Sequence, residues 1–256
     1  MRQTSFVIIL AGLITLPLSG QEGEFQNLVD QARSAYEEGS YQESVDLYRE
    51  AISLDEENAA VYYNLANVLY DMENYGEAVS AYENSLDRGA SDLRVYYNLG
   101  NAHYRNGDLD AALEAYEEAQ AAGEGEGPDG QLSVNHARTL MQLDRREEAA
   151  ELLESYLEEN SEDETAWFHL GNIAYDREEF EQAAAHFERA VEIDEEFLRA
   201  QFNLGNTRYR IGAYREAASA FEAIVDREPD NRDALYNLGL SYVALAESLS
   251  PEGEEN

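Results

Sequence analysis

Apolar residues recur three or four positions apart along most of the chain, which is the spacing of one face of an α-helix. No stretch shows the strict alternation that is typical of a half-buried strand. Short turns divide the helical stretches into pairs, and these turns are EGSY, MENY, NGDL, LDRR, REEF and IGAY. Ser40 with Glu43, and Ser161 with Glu164, have capping-box spacing and predict helix starts. The pattern therefore predicts an all-α chain of helical hairpins.

Small residues at a fixed interval set the register of these hairpins. They follow one another by 34 residues, or by 37 at one junction, and are Ala32, Ala66, Gly100, Ala137, Gly171, Gly205 and Gly239. A second small column in the same register is Ser44, Ala78, Ala112, Ala149, Ala183 and Ala217. Four residues further on lies a bulky column, Tyr48, Tyr82, Tyr116, Leu153, Phe187 and Phe221. Small side chains let two helices approach closely, and we expect the bulky column to fill the space beside them.

A helix–turn–helix unit with a period of 34 residues and these small and bulky columns resembles the tetratricopeptide repeat family. The resemblance covers about residues 25–248. It implies an all-α, right-handed superhelical solenoid of about six full repeats and a C-terminal capping helix. The expected segments are a signal peptide 1–20, a solenoid 21–248 with repeats at 25–58, 59–92, 93–126, 130–163, 164–197 and 198–231, a half-repeat 232–248, a junction loop 123–130 and a disordered tail 249–256.

The first twenty residues have the layout of a secretory signal peptide. Arg2 precedes an apolar run from Phe6 to Leu18, and small residues follow at Ser19 and Gly20. The run is shorter than the roughly 20 residues that span a bilayer. We therefore expect cleavage near Gly20 and an exported protein of the periplasm or cell envelope; the alternative is an uncleaved anchor. The chain has no cysteine, which excludes a lipoprotein, disulfides and thiolate metal sites.

The chain is strongly acidic and contains no lysine. Its formal net charge is −37, and after loss of the expected signal peptide, sixteen Arg against 54 acidic residues leave −38. This charge should repel nucleic acid and anionic membranes. It should also weaken the compact state unless salt screens it, and the screening length falls to about 3 Å at 1 M salt. We interpret the composition as halophilic; the alternative is an acidic protein from a lysine-poor genome.

By the resemblance, the first helix of each repeat lines the concave face of the solenoid, and 42 positions on these helices face the groove. They hold six Arg and five acidic residues, a net charge of +1, although the mature chain as a whole carries −38. Asn can pair with a peptide backbone, aromatic side chains are typical interface anchors, and Arg binds carboxylates. The candidate peptide-binding residues are Tyr63, Asn64, Asn67, Arg94, Tyr97, Asn98, Asn101, Arg105, Asn135, Arg138, Phe168, His169, Asn172, Arg199, Phe202, Asn203, Asn206, Arg210 and Asn237.

An alternative for these polar residues is that Asn and Tyr satisfy one another between adjacent helices. This alternative applies above all to the positions that we expect to lie deepest, Asn67, Asn101, Asn172 and Asn206.

Catalytic and metal-binding patterns are missing from the sequence. No two of the four histidines have the spacing of paired metal ligands; His103 and His136 fall on the buried stripe, where we expect satisfied core residues. The G-x-G-x-x-G match at 125–130 follows no strand and carries glutamates where phosphates would approach. We therefore expect no enzyme, metal, cofactor, nucleic acid or small-molecule substrate.

These observations predict a non-catalytic protein–protein interaction scaffold. It would bind extended or helical peptide segments of partner proteins in the Arg/Asn/Tyr-lined groove, as part of a multiprotein envelope complex with membrane proteins among its members. The last step rests on analogy of fold. The alternative function is a structural repeat protein that assembles with copies of itself and has no separate peptide ligand.

Overall fold

The computed structural model describes residues 18–123 and 130–250, with side chains from Glu22 onward. Over these ranges the chain forms thirteen α-helices and no strand, as the periodicity predicts. They are α1 (Leu18–Glu37), α2 (Tyr41–Leu54), α3 (Ala59–Asp71), α4 (Tyr75–Asp87), α5 (Leu93–Asn106), α6 (Leu109–Ala122), α7 (Gly130–Gln142), α8 (Arg146–Glu159), α9 (Glu164–Asp176), α10 (Phe180–Ile193), α11 (Leu198–Arg210), α12 (Tyr214–Arg227) and α13 (Arg232–Ser248).

Three predicted segments fall wholly or largely outside the described residues. These are the signal peptide up to residue 17, residues 124–129 of the junction loop and residues 251–256 of the tail. Within the described part, no helix is both long enough and apolar enough to cross a membrane.

The helices group into two compact units that divide after Ser91. In the first unit α1 packs on α2, α2 on α3 and α3 on α4. In the second unit each helix from α5 to α13 packs on the next one along the chain. Helices that are neighbours in sequence are thus neighbours in space, as in a solenoid of helical hairpins.

Each hairpin turns through one residue in the left-handed region. At three turns this residue is Gly39, Gly107 or Gly212, with φ between 77° and 90°. At the other three it is Glu73, Asp144 or Glu178, each with φ 62°. The amide after the left-handed residue donates back to the last turn of the helix, for example Asp108 N to His103 O at 2.9 Å. This is the hydrogen bond that closes a helix C-terminus in a Schellman motif.

The small and bulky columns form the core of each hairpin. Every member of the bulky column is at most 4 % exposed. A Cβ added at Gly171 would lie 2.5 Å from the ring of Phe187, and one added at Gly205 would lie 2.7 Å from the ring of Phe221. The glycines therefore allow the aromatic rings of the second helices to lie directly against the first helices, as the columns predict.

The helix start predicted at Ser40 is confirmed, because Ser40 is the N-cap of α2, but neither predicted capping box forms. The side chain of Ser40 makes no capping hydrogen bond, because its backbone angles (φ −81°, ψ 58°) depart from the extended conformation of a capping residue. At the other site α9 begins two residues later than the box requires. Its N-cap is Asp163, which is extended and accepts from Ala166 N at 2.9 Å.

The last helix, α13, has a face that no described part of the chain covers. Leu235, Tyr236 and Val243 are 44 % to 68 % exposed. Gly239 continues the small column, yet no described heavy atom lies within 4 Å of a Cβ added there. This face is the one on which the preceding first helices pack their own second helices.

Candidate peptide-binding groove

Asparagine side chains on the first helices of the second unit pair with one another from repeat to repeat. Asn135 Nδ2 donates to Asn101 Oδ1 at 3.0 Å, Asn203 Nδ2 to Asn172 Oδ1 at 2.8 Å, and Asn237 Nδ2 to Asn206 Oδ1 at 3.2 Å. These pairs join α5 to α7, α9 to α11 and α11 to α13. We call them closed rungs, because donor and acceptor satisfy each other.

Two asparagines also hold buried tyrosines of the bulky column. Tyr82 OH donates to Asn67 Oδ1 at 2.6 Å in the first unit, and Tyr116 OH donates to Asn101 Oδ1 at 2.8 Å in the second. Burial raises the pKa of Tyr82, so this phenol stays protonated and remains a donor. The alternative that the deep asparagines satisfy neighbouring groups is thus correct for all four. An amide has two donors and two lone pairs, so a rung leaves capacity for a ligand.

The rung between α7 and α9 is built differently. Arg138 and His169 occupy the two positions that hold Asn172 and Asn203 one repeat later. Arg138 Nε and His169 Nδ1 are buried and have no hydrogen-bond partner among the described residues. The guanidinium of Arg138 instead lies over the ring of Tyr104, 4.5 Å from its centroid. We call this position the open rung.

The electrostatics of the open rung keep its imidazole neutral at neutral pH. Burial, followed by the positive charges of Arg138 and Arg199, lowers the pKa of His169 to about 4, while the carboxylate of Asp163 acts in the opposite direction. A neutral imidazole has one donor and one acceptor nitrogen. Two guanidinium groups and a neutral imidazole therefore meet at this position.

A cleft of about 520 Å³ surrounds the open rung. Its described lining residues are Tyr97, Gly130, Gln131, Val134, Asn135, Arg138, Asp163, Thr165, Phe168, His169, Phe197 and Arg199. Asp163 is the single acidic residue among them. Its two carboxylate oxygens already accept from Ala166 N and from Tyr156 OH, both at 2.9 Å. The polar groups without partners in this cleft are therefore cationic or neutral.

A second cleft, of about 500 Å³, lies on the other side of Phe168 and Arg199, which line both. Its further lining residues are Asn172, Leu198, Phe202, Asn203, Ile224, Glu228, Asn231 and Asp233. Both volumes lie in the range of about 300–1,000 Å³ that is typical of ligand pockets. The Arg199 guanidinium lies 5.2 Å from the ring centroid of Phe168, so one arginine stands at the border of the two clefts.

Comparison with known families agrees with this architecture. A family model described as a tetratricopeptide repeat matches residues 63–127, 134–196 and 202–247, and one described as a TPR repeat matches residues 32–72. The chain belongs to the tetratricopeptide repeat family. Such repeats are generally non-catalytic modules of protein–protein interaction. No curated protein matches the chain significantly.

Solved tetratricopeptide repeat structures share the fold. YrrB, described as a TPR protein with an unusual peptide-binding site, is 25 % identical, with a TM-score of 0.59 over 74 % of this chain and 96 % of its own. PilF from Pseudomonas aeruginosa is 16 % identical, with a TM-score of 0.66 over 85 % of this chain and 97 % of its own. A tetratricopeptide repeat protein from Parabacteroides merdae is 15 % identical, with a TM-score of 0.70 over 88 % of each chain.

The repeat fold brings some of the predicted site residues together and leaves others apart. Asn135, Arg138, Phe168, His169 and Arg199 line the first cleft, while Asn172, Phe202 and Asn203 join Phe168 and Arg199 in the second. Of the other candidates, Tyr97 lines the first cleft and donates to Gln131 Oε1 at 3.3 Å. Those outside both clefts are Tyr63, Asn64, Asn67, Arg94, Asn98, Asn101, Arg105, Asn206, Arg210 and Asn237.

Several lining residues were not among the groove positions predicted from the sequence. Asp163 and Phe197 immediately precede α9 and α11, and Glu228 and Asn231 lie between α12 and α13. They belong to the turns between repeats, whereas the prediction used only positions on first helices. Their position just before a first helix could have identified these residues from the sequence, because a turn residue at that position can line the groove.

The prediction that His103 and His136 are satisfied core residues is wrong for one nitrogen of each. Nδ1 of both is buried without a hydrogen-bond partner in the described part of the chain. His136 stacks on Tyr116 with a centroid distance of 6.1 Å, and burial is the main reason that its pKa falls to about 4. Among the described residues, no cluster of three or more His, Cys, Asp or Glu could hold a metal ion.

Proposed function

We propose that the protein is a non-catalytic scaffold that binds a peptide segment of a partner protein along the first helices of its second unit. The observation that carries this proposal is the distribution of charge. The 30 groove positions on the first helices of the second unit hold five Arg and two acidic residues, a net charge of +3, in a mature chain of −38. If this face were in contact with solvent alone and bound no partner, its proportion of acidic residues should match that of the rest of the chain.

The chemistry of the two clefts supports a peptide ligand. They combine aromatic walls from Phe168 and Phe202 with guanidinium groups from Arg138 and Arg199, and such residues are enriched among the anchors of protein interfaces. The amides of the closed rungs keep hydrogen-bonding capacity for a peptide backbone. YrrB, a TPR protein of similar fold with an unusual peptide-binding site, supports the same assignment.

We propose an envelope location on sequence grounds. The signal-peptide layout of residues 1–20 supports export to the periplasm or cell envelope. Association with a complex that includes membrane proteins is proposed from analogy of fold alone. Mass spectrometry of the protein isolated from its own cells tests the export step. A mature N-terminus at Gln21 is the expected result, and a retained Met1 in a membrane fraction would favour the anchor instead.

We also propose that the acidic surface is suited to concentrated salt. At 1 M salt the screening length of about 3 Å removes most of the repulsion among surface carboxylates. Circular dichroism should therefore show a folded helical state in molar salt that loosens in dilute buffer. Unchanged helicity and melting temperature over that range would contradict the halophilic interpretation.

Affinity capture from an envelope extract in molar salt tests the binding function. The groove variant combines Arg138→Gln with Arg199→Ala. The control combines Arg49→Ala with Arg215→Ala, which removes the same two charges from exposed positions on the second helices α2 and α12. A partner retained by the wild type and by the control, but lost by the groove variant, is the expected result. Equal capture by all three proteins would move the binding surface away from these clefts.

A second candidate function is self-assembly, and the exposed face of α13 favours it. Leu235, Tyr236 and Val243 lie on this helix with at least 44 % of their surface exposed, and none carries charge. Sedimentation equilibrium in molar salt separates the two functions. A monomer at high concentration supports the peptide-binding scaffold, whereas a dimer that Val243→Glu dissociates would support self-assembly.

A further inference from the structure

We infer that the two neighbouring clefts recognise two features of the same bound segment. A carboxylate would sit at the open rung, and a bulky apolar side chain next to it would enter the second cleft. This inference rests on the proposed peptide-binding function and names the chemistry of its ligand. The carboxylate can come from an Asp or Glu side chain or from a peptide C-terminus, since both present the same group.

The open rung leaves buried polar atoms unpaired at the places where the closed rungs pair a donor with an acceptor. In the closed rung one repeat later, Asn203 Nδ2 donates to Asn172 Oδ1 at 2.8 Å. Arg138 Nε and His169 Nδ1 hold the corresponding places and lack partners in the described part of the chain. A carboxylate accepts hydrogen bonds from both a guanidinium and an imidazole N–H, so it would satisfy the groups that the missing Asn pair leaves open.

The charges around the open rung favour an anion over a cation. Arg138 and Arg199 both line the cleft, and guanidinium groups bind carboxylates with two parallel hydrogen bonds. The single acidic residue in the described lining, Asp163, is held by Ala166 N and Tyr156 OH. A cationic side chain would meet two like charges here and would find no carboxylate without partners.

The second cleft has a different character, although it shares Arg199 and Phe168 with the first. Leu198, Phe202 and Ile224 supply apolar surface. Glu228 and Asp233 also line it, and both are exposed. These carboxylates would repel a second acidic side chain, while the apolar surface suits an aliphatic or aromatic one. The pair of clefts thus favours a segment with its acidic and apolar groups in a fixed order.

A synthetic nine-residue peptide library tests this two-cleft recognition on the full chain. The library varies each position among Glu, Gln, Phe, Ala and Arg, and it is made with both amidated and free C-termini. Fluorescence anisotropy is measured in molar salt. We expect the best amidated peptides to lose about tenfold in affinity on Glu→Gln, and about as much on replacing a neighbouring Phe by Ala. A preference that appears only with free C-termini would identify the terminal carboxylate as the source.

The decisive variant converts the open rung into a closed one. Arg138→Asn combined with His169→Asn places Asn at both positions of the open rung. We expect this variant to fold, because Asn pairs already occupy the equivalent positions in other repeats of this chain. This variant should lose the preference for Glu over Gln and keep the preference for Phe over Ala. The matched control is Arg208→Gln, since Arg208 lies on the first helix α11, pairs with Glu188 Oε2 at 2.8 Å and lines neither cleft. It should leave both preferences unchanged.

The outcomes separate this inference from the function on which it rests. Peptide binding without a preference for Glu, or a preference for Glu that survives in the double Asn variant, would overturn the carboxylate assignment and leave the scaffold function standing. Loss of the Phe preference in that variant would show that the clefts do not act separately. A library in which no peptide binds the wild type would contradict both proposals.

Discussion

The closed rung between α9 and α11 and the open rung between α7 and α9 occupy equivalent places in successive repeats. In the closed rung two neutral amides satisfy each other at 2.8 Å, so this part of the groove carries no charge of its own. In the open rung Arg138 and His169 leave two buried nitrogen atoms without partners in the described chain and bring a positive charge to the groove. Two substitutions on an unchanged backbone pattern thus turn a structural contact into a candidate binding site.

The closed and open rungs also differ in the free-energy cost of their buried polar atoms. A buried donor or acceptor without a partner costs on the order of 1–3 kcal/mol, and native proteins contain few of them. The closed rungs avoid that cost, and the open rung carries it in the unliganded protein. A ligand that satisfies these groups would recover part of the cost, which is why the open rung is the better candidate for recognition.

The largest effect on a closed rung is expected when one of its helices is displaced from the core residues against which it packs. Gly205→Val would place a Cβ 2.7 Å from the ring of Phe221, under the helix that carries Asn203 and Asn206. We expect the free energy of unfolding to fall by about 3 kcal/mol, because overpacking displaces a buried ring. Urea denaturation in molar salt measures it.

The control for that experiment uses the same column at the open end of the array. A Cβ added at Gly239 meets no described heavy atom within 4 Å beyond its own stretch of helix, so Gly239→Val should change the free energy of unfolding by less than about 0.5 kcal/mol. Equal losses in both variants would mean that helix propensity, and not the contact with Phe221, sets the requirement for glycine.

The sequence predicts the repeat register well and the open rung poorly, for a physical reason. The small and bulky columns recur because every repeat must make the same backbone contact, so one chain contains six copies of the signal. The sequence also shows that Arg138 and His169 replace asparagines. It cannot show that asparagines at those places pair with one another, because that depends on the spacing of successive first helices. Ser40 fails as a cap for a similar reason, since spacing does not fix its backbone angles.

The second prediction concerns pH and the open rung alone. The pKa of His169 is about 4 in the folded chain and about 6.5 in an unfolded one. Between these values the unfolded state binds more protons, so the stability that the neutral imidazole contributes is complete above pH 6.5 and is lost as the pH falls towards 4.

The measurement compares the wild type with His169→Asn by urea denaturation at about pH 7 and about pH 4.5. The wild type should lose about 2 kcal/mol more than the variant on acidification. His136, which has a similarly lowered pKa, is present in both proteins and cancels in the comparison. Parallel losses in the two proteins would contradict the burial of a neutral imidazole at the open rung.

A double variant that replaces both residues of the open rung by Asn should convert it into a closed rung. Arg138→Asn with His169→Asn removes two buried nitrogen atoms that lack partners and adds an amide pair like that of Asn172 and Asn203. The free energy of unfolding should rise by about 1–2 kcal/mol in the absence of ligand. A loss of stability would mean that the contact of Arg138 with the ring of Tyr104, at 4.5 Å, is worth more than the new rung.

The smallest expected effect is the coupling within each rung, and a pair of double-mutant cycles measures it. Asn203→Ala alone should lower the free energy of unfolding by about 1 kcal/mol, since Asn172 Oδ1 loses its donor. In the cycle with Asn172→Ala, a coupling energy of about 0.5–1 kcal/mol should remain, because the two amides are in direct contact. The cycle of Arg138→Ala and His169→Ala should give a coupling near zero or slightly repulsive, since no hydrogen bond joins them. Equal coupling in both cycles would mean that the open rung is closed in solution, and the carboxylate assignment would then lose its basis.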